Sequence, residues 1–175
     1  MPPPGIPQDS IDFLQRVLRA FEAPTNSAVS LLYQAAQHTD LPVIEAVRQH
    51  LADLLGLSFV AAQAVLNGRK SQRPLKNGPQ TLHPWLTDVE LINAIANFWK
   101  HHDEWSTNDW TIIEGVQRSR ADLKKASPKE MTGIQLAGLG VAKSKGSENM
   151  FLLAKAASFS DASWDWLLGP LRAWW

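Results

Sequence analysis

The chain has no cysteine among its 175 residues. That excludes disulfides, cysteine nucleophiles and cysteine-ligated zinc, and it leaves the redox compartment open. Neither sign of charge is in excess, with 17 Lys+Arg against 17 Asp+Glu, so net charge gives no footprint of a general polyanion binder. No run reaches 18 apolar residues, and no membrane span is expected. The opening MPPPGIPQ lacks the basic start and apolar run of a secretory signal and the arginines of a transit peptide. The expected compartment is therefore the cytoplasm. Strand patterns are missing too, because Val, Ile and Thr fall inside helical spacing rather than alternating. There is a single Tyr, against eight Trp.

The composition is that of an ordinary globular chain, 45% hydrophobic and 19% charged. A chain of this length buries roughly 70% of its unfolded surface, so the core needs no metal to stabilise it. Residues 1–8 hold four of the eleven prolines and read as an extended tail. Residues 9–175 read as one all-α domain, a bundle of about six to eight helices.

A helix opens at Asp9 or Ser10 with Ile11, Leu14, Val17, Leu18 and Phe21 on one face, and Pro24 is expected to end it. A second follows over 25–37. Asp40 caps the next, with Pro42 in its first turn, where a missing N–H costs nothing. Gly56 is a break point, and the run Leu57–Leu66, apolar on most sides, reads as a buried helix closed by Asn67-Gly68. Residues 67–84 form a long loop made basic by Arg69, Lys70, Arg73 and Lys76.

Thr87 and Glu90 fit a capping box that opens a helix to about Asp103. Helices are also expected from Asn108 or Asp109 through Leu123, from Met131 to Val141 behind a second capping box (Ser127, Glu130) with Pro128 at the first helical position, and from Ser147 through Ala157. The last opens at Ser160 and is interrupted at Gly169-Pro170.

The helix over 87–105 carries the chemistry. At 100° per residue, Glu90, Asn93, Asn97, Lys100, His101 and Glu104 fall in a wedge about 100° wide. His101 is the candidate catalytic group. Asn93, Asn97, Lys100 and Glu104 are candidate binding groups, and Asn97 and His101 are close enough at i, i+4 to hydrogen-bond. A neutral imidazole, an ammonium and two amides in one strip suit phosphate binding or acid–base work. The plain alternative is the solvated face of an amphipathic helix. His102 points toward the packed side.

The run Asn97-Phe98-Trp99-Lys100-His101 resembles the N-x-x-K-H helix ending of HEPN-type domains. The resemblance covers about 20 of the 175 residues and carries over only Asn97, Lys100 and His101. It implies an all-α fold, a homodimer, a place in bacterial toxin–antitoxin or defence systems and, in active members, metal-free RNA cleavage. Active members also place an Arg before the His with four to six residues between them. Ala94, Ile95 and Ala96 hold those places for His101, so the resemblance implies a non-catalytic member that binds a protein or RNA.

Arg118 and Arg120, with the lysines that follow and the 69–76 loop, form a candidate basic surface. Asp88, Glu90, Asp103, Glu104 and Asp109 gather the opposite sign, an arrangement that would steer a charged partner. The Trp residues read mainly as core fillers. Trp164 and Trp166 cannot share one side of a helix, so one of them is a candidate contact residue. His101 and His102 diverge by 100°, and no P-loop, GxSxG or dinucleotide motif occurs, so no metal and no cofactor are expected. Three functions stay open: a non-catalytic module binding protein or RNA, a metal-independent ribonuclease acting through His101, and a small-ligand-binding bundle lined by Trp.

Overall fold

The computed structural model describes residues 9–83, 85–104, 127–137 and 164–175. Among them there are five α-helices and no strand: α1 (Asp9–His38), α2 (Leu41–Arg69), α3 (Asp88–Lys100), α4 (Pro128–Ala137) and α5 (Asp165–Trp174). The all-α reading stands. The count among the described residues is lower than six to eight, because the breaks expected at Pro24, Gly56 and Gly169-Pro170 do not occur. The helices expected over 108–123 and 147–157 lie outside the described residues, as does the tail.

The first correction is at Pro24, which lies inside α1. An interior proline forgoes one backbone hydrogen bond and costs about 3 kcal/mol. Packing on both sides offsets it. Ile11, Leu14 and Leu18 are buried before the proline, and Ala28 and Ala35 after it. Pro170 lies inside α5 in the same way, between buried Leu168 and Leu171, so the expected interruption there is also absent.

The second correction is at Gly56, which lies inside α2. Its role is close approach rather than termination: a Cβ there would sit 2.1–2.3 Å from three atoms of the Trp99 indole. Glycine lets α3 lie directly on the α2 backbone. The far end of α2 runs past Asn67-Gly68 to Arg69, so the loop is shorter than expected.

Caps follow the sequence closely. Asp40 accepts from the Val43 N–H at 3.2 Å, with Pro42 in the first turn. At α3, Thr87 Oγ1 accepts from the Glu90 N–H at 3.2 Å while the Glu90 carboxylate accepts from the Thr87 N–H at 2.9 Å. The Thr87 hydroxyl also donates to the Leu75 carbonyl at 2.8 Å, tying the preceding 3-10 turn to the helix start.

α1 and α2 form a long antiparallel hairpin closed by Thr39 and Asp40. The inner half of α2 meets α3, and the core joins Leu55, Phe59, Ala62 and Leu66 to Ile95, Phe98 and the α5 residues Leu167 and Leu171. Trp164 stands just before α5 in a left-handed conformation (φ 61°) rather than inside the helix. Its ring is buried and packs on both Phe21 and Trp166. Trp166 packs on Phe59, so both rings turn inward and the expected exposed Trp is not found in this pair.

Candidate functional site

The wedge read on α3 divides in the structure. Asn93 and Asn97 are half-buried and face α2, where Gln63 is almost completely enclosed. The Gln63 Nε2 group donates to Asn93 Oδ1 at 2.9 Å, to Asn97 Oδ1 at 2.7 Å and to the Asn93 backbone carbonyl at 3.3 Å. A backbone carbonyl can only accept, so the Gln63 atom facing it is the nitrogen. Both asparagine oxygens must then face that nitrogen, and their own nitrogens turn away from it. Two residues read as a binding pair are thus, first, a polar lock between α2 and α3.

Asn97 does not bond His101. Instead His101 caps the C-terminus of α3, and its Nδ1 donates to the Glu104 carboxylate at 3.0 Å. Both side chains are more than half exposed, 56% and 66%. A contact so wetted contributes little. Lys100 is exposed on the same helix end. The strip brings Lys100, His101 and Glu104 together at the surface and separates them from Asn93 and Asn97. Arg118 and Arg120 lie outside the described residues.

His102 turns inward as expected. Its Nδ1 donates to the Trp99 carbonyl at 2.6 Å and its ring stacks on the Trp99 indole, centroids 4.3 Å apart and planes 5° from parallel.

The acidic patch needs correction. Asp88 is buried, and its carboxylate accepts from the Thr81 and Leu82 N–H groups and from the Thr81 hydroxyl at 2.8–3.1 Å. Its charge holds the 79–88 loop rather than a surface. Glu90 serves the cap. In the same loop His83 is buried, and its Nδ1 accepts from the Trp85 and Leu86 N–H groups at 3.3 and 3.2 Å. That fixes the neutral ring with its proton on Nε2. Burial holds the His83 pKa below its ordinary 6.5, against a smaller opposing pull from Glu90.

The sequence reading missed the outer side of the hairpin. α2 is apolar on two opposite faces: one meets α3, and among the described residues nothing covers the other. Two grooves cut that open face. One of about 440 Å³ is lined by Phe13 and Val17 of α1 with Ala61, Ala64, Val65 and Gly68 of α2. The other, about 460 Å³, is lined by Pro24 and Leu31 with Val43, Ala46, Val47 and His50. Phe13, Leu31 and Leu57 expose 60%, 51% and 49% of their surface. The run Leu57–Leu66, expected to be buried, is buried on one side only. By length and composition α2 is long and apolar enough to span a membrane, with 56% of its most apolar window packed inside the protein. The signal was present in the sequence as a second apolar period on α2, opposite the first.

Among the described residues no group of three or more His, Asp or Glu is placed to hold a metal. No protein-family model matches the chain, and neither a curated protein nor a solved structure matches it.

Proposed function

We propose that this chain is a non-catalytic helical module that binds a protein partner through the open face of the α1–α2 hairpin. The observation that supports this reading is the exposure of Phe13, Leu31 and Leu57 beside two apolar grooves on one face. Contiguous apolar surface of this kind marks interaction sites. A photo-reactive amino acid placed at position 57 should give covalent protein adducts, whereas the same group at position 33, on the opposite side of α1, should not. Equal yields from both positions would sink the reading. The N-x-x-K-H ending of α3 resembles HEPN-type domains, and under that resemblance the chain is a non-catalytic member working in the cytoplasm of a bacterial defence or toxin–antitoxin system.

A second reading, RNA binding or cleavage at the end of α3, draws on one observation: Lys100 and His101 are both exposed there, His101 held by Glu104. Metal-free RNA cleavage by the purified chain, lost in His101→Ala, would establish it. A third reading, a small-ligand-binding bundle lined by Trp, draws less support, since neither groove of the hairpin face is lined by Trp.

A further inference from the structure

The open face of the hairpin has three properties that bear on its occupant. The first is charge. On α1 from Ser10 to His38, a wedge about 100° wide centred near Phe13 and Leu31 contains no Asp, Glu, Lys or Arg. A wedge of the same width on α2, from Val43 to Gly68, contains none either. Arg16 and Asp53 stand just outside the two wedges. In a chain with 34 charged residues this is a long neutral surface.

The second is repetition. Val43 and Ala61 are about five full turns apart on α2, and so are His50 and Gly68. Phe13 and Leu31 stand in the same relation on α1. Each end of the face therefore offers a groove edged by a protruding apolar side chain, and Leu57 protrudes between them. The third is size. The hairpin face is about 40 Å long and about 20 Å wide, or roughly 800 Å² per protomer, the area a standard specific interface takes from each partner.

We propose that the occupant is a second copy of this chain, packed hairpin to hairpin in a four-helix arrangement. This deepens the binding reading above and rests on it. A two-fold contact sets a surface against itself, so a charged patch would repel its own copy while a neutral one does not. A two-fold axis lying across the helices sets the groove beside Phe13 opposite the groove beside Leu31 of the other copy. Phe13 of each copy then faces Leu31 of the other, and the two Leu57 side chains approach each other near the axis.

The test is the mass of the purified full chain by light scattering at tens of micromolar, with sedimentation equilibrium for the dissociation constant. The wild type should show twice 19.4 kDa. Leu57→Glu and Phe13→Glu should each weaken the dimer by about 30-fold or more. Tyr33→Glu, on the far side of α1, should leave it intact. Tryptophan fluorescence and circular dichroism of the monomeric variants should match the wild type, since neither Leu57 nor Phe13 belongs to the core. A wild-type monomer overturns the proposal. So does a dimer indifferent to Leu57→Glu. A monomer whose adducts with other proteins are lost in Leu57→Glu overturns the second copy and keeps the binding reading. A monomer without face-dependent adducts, or one that instead partitions onto phosphatidylcholine vesicles through this face, overturns both.

Discussion

The Trp99 indole rests directly on the backbone of α2 at Gly56, where a Cβ would lie 2.1 Å from the ring. This one contact sets how closely α2 and α3 approach. It explains a glycine in mid-helix that costs about 1 kcal/mol of intrinsic propensity.

Gly56→Ala should destabilise the protein despite alanine's better helix propensity, because the indole would have to move and carry the stacked His102 ring with it. Overpacking of this kind costs about 1–3 kcal/mol. Urea unfolding followed by tryptophan fluorescence would show it as a lower midpoint at unchanged slope. A midpoint at or above the wild-type value would show that Trp99 has room to shift.

Gln63→Leu tests the amide lock. Leucine fills similar space and leaves the oxygens of Asn93 and Asn97 without their donor. Unmet buried acceptors cost about 1–3 kcal/mol. The further exchange of both asparagines to alanine should recover part of that loss, and a double-mutant cycle would read the coupling. Strict additivity would mean that the three amides act independently.

How much of this was legible depends on whether a signal is local. Asp40, Pro42 and the Thr87–Glu90 box act on their own helix, and the sequence showed them at their observed positions. The wedge on α3 read as one surface, but Asn93 and Asn97 turn to α2, where their partner Gln63 lies 34 positions before Asn97 and no periodicity on α3 announces it. Pro24 and Gly56 carry strong local stop signals. Both were overridden by tertiary packing, Pro24 by the buried residues flanking it and Gly56 by an indole from another helix. Asp88 looked like surface charge because nothing in the sequence ties it to the amides of Thr81 and Leu82. The open hairpin face was missed for a different reason: an apolar stripe reads as core until the structure shows that none of the described residues lies over it.

His83 should make stability depend on pH. Its folded pKa is lowered by burial, so below 6.5 the unfolded chain takes up a proton that the folded chain resists. The contribution is fully present above pH 6.5 and is lost as the pH falls through that value toward the lowered folded one. The urea midpoint should therefore drop between pH 7.5 and 5.5. His83→Asn keeps an acceptor for the Trp85 and Leu86 N–H groups without titrating, and it should flatten the slope in this window. An unchanged slope would place the titration elsewhere.

His101→Ala separates the two readings of the end of α3. The side chain is exposed, and its bond to Glu104 is made in water, so its loss should change stability by less than about 0.5 kcal/mol. Any change in function would then be functional in origin. A non-catalytic module predicts that wild type and variant alike leave RNA intact without metal, and that both give the same adducts from position 57. Acid–base chemistry at His101 needs a second group to bind the phosphate or hold the leaving proton. The neighbouring Asn97 oxygen is already engaged by Gln63, and the imidazole is engaged by Glu104. Cleavage by the wild type that His101→Ala abolishes would show that these bonds yield to substrate, and the protein-binding face would then be a second property of an enzyme.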